Sequence, residues 1–363
     1  MKSYYRHILL TSAVILAAAA CTKTVPEGPQ VTDMQINICA SEGLTKSSLK
    51  NGTFNPTGTK SLLDETTFQT SGNRIQIYDF VTSGGATTKH VDDKIGPELD
   101  SNSPLHTPGY TWPFVNGPHQ WCPGEHKFFG WLAQDANMTA SNTPETFFGS
   151  GFDFDEATHV LTIPQVTFTK DTPQFDFMYS DIFTTEPINT PVQLKFSHLF
   201  CAVSFGISNG DTQDIEIKSL NVSTYNSMSA TIDFTGEDTH VTYTKSSTST
   251  GVFRSLSNAY TLQGGGNCDN AFNSTSSGKD FRLLWPMTSD ELKDCRITVT
   301  YLYKSDNAQY TKELAFPDPA AAGLLAGNKY HYSIGLPSLK TTQVTIKCEV
   351  CPWDTANTDI TFN

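Results

Sequence analysis

The sequence predicts an all-β protein arranged as two tandem antiparallel β-sandwich domains. Three observations carry that expectation. Thr, Val, Ile, Phe and Tyr are plentiful while only 17% of the 363 residues are charged, a balance that suits strands which pair and pack. Apolar residues alternate with polar ones over many short stretches separated by turn residues. No run of a dozen residues carries a clean helical stripe. The length allows roughly two domains, and an aromatic content of 11% supplies real cores and argues against disorder.

In chain order, the first segment is a targeting signal. Lys2 and Arg6 precede residues 8–20, which are uncharged and mostly apolar. That run is too short for a bilayer span, which takes about 20 apolar residues, and it fits the core of a secretory signal peptide over residues 1–20. Ala18, Ala19 and Ala20 lead directly into Cys21. This arrangement resembles the lipobox of bacterial lipoproteins, which implies lipid attachment at Cys21; a plain secretory signal is the alternative. Several acyl chains would anchor stably, because each buried CH₂ contributes about 0.8 kcal/mol. Residues 21–31 contain Pro26, Gly28 and Pro29 and read as a tether.

The strands follow. Met34, Ile36 and Ile38 alternate with polar neighbours, as do Ile75 and Ile77. Val192, Leu194 and Phe196 share one parity, whereas Leu199, Cys201, Val203, Phe205 and Ile207 share the other. A change of phase near His198 is what a bulge, or a strand buried on both faces, produces. Further alternating runs are Ile215–Ile217, Val241–Tyr243, Ile297 to Tyr303, Val344 to Val350, and Ile360 with Phe362. Turn signals stand at 83–85, 108–109, 209–210, 264–266 and 318–319. Short helical turns are expected at 289–293 and 320–325. The boundary between a first domain (32–210) and a second (211–363) is placed at Asn209-Gly210-Asp211.

Chemistry-bearing motifs are sparse. The formal charge is −13 and no Lys/Arg cluster exists, so nucleic acid is not an expected partner. His119, Cys122, Glu125 and His126 are close enough in sequence to share a metal, but no second ligand pair follows and an aromatic-rich turn explains them. Asp153, Asp155 and Glu156 offer oxygens without the glycine of a calcium loop. Cys348 and Cys351 fall three apart in a strand pattern and lack a thioredoxin-like context. Neither a G-x-S-x-G elbow nor a phosphate loop is present. No catalytic residue, metal or cofactor is therefore expected, and the protein is read as a non-enzyme. Apart from Cys21 there are seven cysteines, an odd number whose pairing the sequence leaves open. Trp112, Trp121 and Trp131 lie in one aromatic-rich segment; buried they fill a core, exposed they could stack on sugars.

Several separated motifs resemble the fimbrillin-like family of Bacteroidales, relatives of the type V pilins. They are Tyr110-Thr111-Trp112-Pro113, then His126 to Trp131, then Phe175-Asp176-Phe177-Met178-Tyr179-Ser180. Val192 to Phe205 is similar to the family's V-x-L-x-F-x-H-x-x-A-x-V-x-F strand, its most specific landmark. Leu283-Leu284-Trp285-Pro286 departs from the usual pattern at Trp285; Ala326-Gly327 with Tyr330 and Tyr332, and Pro352-Trp353, complete the order. The resemblance implies transthyretin-like sandwiches, an outer-membrane lipoprotein, and a fimbrial stalk, tip or anchor subunit supporting adhesion to host or bacterial surface ligands. It also implies assembly with other fimbrial subunits by β-strand exchange, after proteolytic removal of a first strand. The family's cut follows an arginine, but the first one after Cys21 is Arg74, inside a strand; only Lys46, Lys50 and Lys60 offer basic sites between. The tail, with Thr358, Ile360 and Phe362, is either a donor strand or the last strand of its own sheet. A glycan-binding surface lipoprotein using Trp112, Trp121 or Trp131 is the alternative function.

Overall fold

A computed structural model describes residues 34–42, 72–96, 112–135, 143–246, 248–275, 278–305, 307–338 and 343–352. The signal peptide, Cys21, the tether, Lys46, Lys50, Lys60 and the tail with Thr358, Ile360 and Phe362 lie outside the described residues.

Strands are numbered in chain order. One sheet runs β1 (Ile38–Glu42), β9 (Val192–His198), β7 (Met178–Ser180), β4 (Glu125–Gln134), β2 (Arg74–Ser83) and β3 (Ala86–Ile95), with β8 (Phe183–Thr185) also on β4. A second runs β13 (His240–Lys245), β12 (Ser227–Asp233), β6 (Val160–Thr167) and β5 (Asp153–Asp155). Rings from the two meet across the layer: Tyr78 lies 4.6 Å and Trp131 5.1 Å from Phe154, and Phe129 stacks on Phe234 at 4.4 Å. This is the aromatic core of a sandwich.

A further pair of sheets follows the same plan. One has β16 (Asn267–Cys268), β10 (Cys201–Asn209), β20 (Asn328–Leu336) and β21 (Thr345–Pro352), with β17 (Arg282–Leu284) on β10. The other has β14 (Gly251–Ser255), β11 (Ile215–Thr224), β18 (Arg296–Tyr303) and β19 (Gln309–Ala315), with β15 (Tyr260–Leu262) on β11. Phe316, just after β19, reaches across to Phe205 and Tyr332. The all-β sandwich architecture is therefore as the sequence predicts. All ladders are antiparallel except β1 with β9 and β10 with β20.

The phase change near His198 is a change of sheet. β9 alternates buried and exposed residues, as an edge-side strand with one wet face should. Leu199 and Phe200 then carry the chain over, and β10 is buried along almost its whole length between β16 and β17 on one side and β20 on the other. Strand pairing crosses residue 210 in both directions: β10 joins β20, and the hairpin β12–β13 joins β6, while its flanking strands β11 and β14 pair with each other.

Local chemistry explains the connections. Gly84 and Gly85 both have positive φ and link Ser83 to its partner Ala86, the two-residue hairpin turn that favours glycine. β6 contains Pro164 yet sits inside its sheet, because the proline falls where the ladder to β12 slips between Met228 and Ala230. Helix α1 (Pro144–Phe148) was not expected; its capping box from Thr143 and Thr146 holds a single short turn. Helix α2 (Ser289–Leu292) occupies the expected position, and a 3-10 turn covers Pro319–Ala321.

The landmark motifs bond to one another. Met178 pairs with His198 in the β7–β9 ladder, and His198 Nδ1 lies 2.9 Å from Asp176 Oδ1. Leu284 and Tyr330 flank β10 as partners of Cys201 and Val203. Within that sheet His331 is buried, its Nδ1 2.8 Å from Ser204 Oγ. Burial, reinforced by Lys279, pushes the His331 imidazole down to about 4, whereas in an unfolded chain it protonates near 6.5. Between those values the unfolded state binds more protons, so stability is full above pH 6.5 and falls as pH drops toward 4, by on the order of 3 kcal/mol. Melting curves against pH should show this loss, and His331→Gln should flatten it over the same window.

Candidate functional site

The first described segment, residues 34–42, is held in a slot. Ile36 and Ile38 are buried, as their alternation predicts. On one side β1 runs parallel to β9, from Ile38 opposite Val192 to Glu42 opposite Phe196, and Val192 N donates to Asn37 O at 2.8 Å. On the other side lies the segment 112–121. Ile36 N donates to His119 O, Trp121 N to Met34 O and Trp112 N to Ile38 O, at 2.7–2.8 Å, and Gln35 bridges Gln120. The segment thus has backbone partners on both sides, the segment 112–121 along residues 34–38 and β9 along residues 37–42.

Two buried carboxylates shape the wall of that slot. Asp93, on β3, accepts from Lys94 N, Asn116 N, Asn116 Nδ2 and His119 Nε2, so it fixes the turn that carries the His119 carbonyl. Asp79, on β2, lies 2.7 Å from His126 Nδ1, and both side chains are fully buried. His126 Nε2 is 2.9 Å from Cys122 O. A carbonyl only accepts, so Nε2 carries a proton, and a second proton lies between Nδ1 and the carboxylate. Burial opposes charge on His126, but the bonds to Asp79 and Cys122 outweigh it and its pKa is raised. Trp121 packs edge-on against this ring at 4.6 Å. Both histidines stood out in the sequence; Asp79 and Asp93 did not, since each belongs to a strand remote in sequence from the histidine it binds.

The tryptophans named as glycan contacts are core residues. Trp112, Trp121 and Trp131 are 3%, 1% and 4% exposed, so their faces pack against protein and offer no platform for a sugar. Of the metal candidates, Cys122 Sγ lies 3.9 Å from His126 Nε2, whereas His119 turns to Asp93, Asp155 folds back onto Ala157 N and Glu156 pairs with Lys89. The five cysteines with described side chains, Cys122, Cys201, Cys268, Cys295 and Cys348, are all free thiols. Burial raises the pKa of Cys201 and Cys295, which marks them as core residues and not nucleophiles. β21 continues unbroken through Pro352, so the proline does not end the strand after Cys348. Arg74 opens β2, and its guanidinium donates to Asn73 O.

The fimbrillin-like family model matches residues 57–353. The chain belongs to the fimbrillin-like family. It is accordingly a fimbrial or adhesive subunit associated with the cell surface, in a family of structural proteins. No curated protein matches the sequence. Among solved structures, this fimbrillin-like chain is similar to a proposed cell adhesion protein from Bacteroides uniformis, at 15% identity and a TM-score of 0.44, over 89% of this chain and 100% of that one. It is also similar to the fimbrial anchor protein Mfa2 from Porphyromonas gingivalis, at 9% identity and a TM-score of 0.34, over 88% and 98% of the two chains.

Proposed function

We propose that this fimbrillin-like protein reaches the outer membrane as a lipid-anchored precursor and joins other fimbrial subunits by exchanging a β-strand. The slot holding residues 34–42 carries the reading. A segment bonded to 112–121 through residues 34–38 and to β9 through residues 37–42, with Ile36 and Ile38 in the core, leaves behind unpaired backbone groups and an apolar groove when withdrawn, and a strand from another subunit satisfies both. Lys46, Lys50 and Lys60 follow the strand, so a cut at any of them frees it without touching β2, which a cut at Arg74 would damage. Cys21 carries the lipid of the exported precursor once residues 1–20 are removed, and the later cut releases that anchor together with the strand. The tail with Thr358, Ile360 and Phe362 supplies the donor strand.

N-terminal sequencing of the surface-extracted protein tests maturation. A start after Lys46, Lys50 or Lys60 is expected of a subunit that accepts a strand; a start at Cys21 in assembled material would rule out removal of the first strand. Deletion of residues 357–363 should abolish assembly with other subunits while the monomer still folds. Unfolding of that monomer would instead place the tail in its own core.

A further inference from the structure

One wall of the slot has a second set of bonds, on the side away from the first strand. The segment 112–121 lies between residues 34–38 and β3, and β3 with the adjoining Gly96 holds it along its length. Val115 N donates to Lys94 O at 2.8 Å and Gly96 N to Pro113 O at 3.3 Å, while His90 Nε2 is 2.8 Å from Gln120 O. We propose that this wall keeps its bonding geometry when the first strand withdraws, and that Asp93 is the positioning residue that holds it, a role that rests on the strand exchange proposed above.

The side chain of Asp93 is 1% exposed, and both of its carboxylate oxygens are filled. Oδ1 accepts from Asn116 Nδ2 and from Lys94 N, each at 2.7 Å. Oδ2 accepts from His119 Nε2 at 3.0 Å and from Asn116 N at 3.2 Å. One buried carboxylate thus ties the turn at Asn116 and the ring of His119 to β3. Hydrogen bonds to a carboxylate are about twice as strong as those between neutral groups. Within the wall the Phe114 ring meets His119 edge-on at 4.6 Å, so the residues that Asp93 binds are also packed together.

Withdrawal of residues 34–42 breaks a different set of bonds. His119 O loses Ile36 N, Trp121 N loses Met34 O, Trp112 N loses Ile38 O, and on β9 Val192 N loses Asn37 O. None of the bonds to His90, Asp93, Lys94 or Gly96 involves the strand that leaves. The cost of ordering 112–121 is therefore met in advance, and an entering strand finds His119 O, Trp112 N and Trp121 N already in place. A binding edge held in its bound geometry spares the entropy of arranging it. The strand that fits offers an N–H at the Ile36 position, which excludes proline there, and carbonyls at the Met34 and Ile38 positions. Its side chains at the Ile36 and Ile38 positions are apolar, since both are buried in the slot.

Amide hydrogen exchange of the full chain is the test. Ile36, Trp121 and Val192 should exchange together, because one opening, the departure of the strand, exposes all three. Val115 and Gly96, which bond between the wall and the β3 side, should exchange at least about tenfold more slowly. Neither donates to Asp93, yet Asp93→Ala should bring both to the rate of the first group. Asn116→Ala removes only the Nδ2 bond to Asp93 and should narrow the gap in part with unchanged far-ultraviolet circular dichroism, so the outcome does not depend on Asp93→Ala folding. A single rate for both groups in the natural protein, or a gap that neither variant narrows, overturns the proposal. A labelled peptide of residues 34–42, added to the full chain nicked after Lys46, reads the exchange step itself. The peptide should enter the natural slot, and enter more slowly in Asp93→Ala. Failure to enter while Val115 and Gly96 stay protected would count against strand exchange and not against the hold of Asp93 on the wall.

Discussion

Asp79→Ala is expected to be among the most damaging single changes in the protein, lowering stability by about 3–5 kcal/mol. The carboxylate has no access to water and its partner His126 has none either. Removing it leaves Nδ1 without an acceptor in a site where burial already disfavours the charged ring. The damage spreads, because His126 also fixes the Cys122 carbonyl and packs against Trp121, and Trp121 N holds Met34. Asp79→Asn keeps the shape and one acceptor, so a smaller loss is expected. Urea unfolding of the two variants measures the difference, and equal losses would show that charge and not shape governs the pair.

Trp285→Ala should cost a comparable amount, about 3–5 kcal/mol, through the cavity it leaves. Trp285 follows β17 and is fully buried. Its ring meets Phe200 at 4.9 Å, Phe168 at 5.9 Å and Tyr243 at 6.1 Å, and its Nε1 donates to Val166 O at 2.9 Å. Val166 and Tyr243 belong to the sheet of β6 and β13, whereas β17 lies on β10. The indole is therefore a bolt between the two sandwiches. Denaturant unfolding of Trp285→Ala followed by two probes should split into separate transitions. Trp285→Phe should keep one transition, because most of the apolar area remains and only the Val166 bond is lost. A single coincident transition in Trp285→Ala would show that the other contacts suffice.

Alternation exposed the strands with one wet face, such as β9 and β18, because their period of two is written in the residues. β4 hid that signal. It is buried on both faces through its centre, where residues 128–133 are all apolar and read as an aromatic cluster. At its centre Gly130 has no room for a side chain, since an added Cβ would fall 2.2 Å from Gln76 O; that constraint belongs to the neighbouring strand. The site was half legible. His119, Cys122 and His126 stood out by spacing, but their bonding partners Asp93, His90 and Asp79 come from β2 and β3, and no local pattern links them. The slot around residues 34–42 was legible as a strand and invisible as a slot, because its two walls, β9 and the segment 112–121, come from far along the chain.

The parallel pairing of β10 with β20 has a kinetic side. Ser204 and His331, which bond across it, are 127 residues apart in the chain. During synthesis β10 emerges long before its partner, and all but one of its residues are buried in the folded protein. Contacts of such separation form late and slowly, and an unpaired strand of this kind invites pairing with other chains meanwhile. A nascent copy stalled before residue 328 should therefore aggregate, and folding of the complete chain should gain yield from any factor that shields β10 until the last strands arrive.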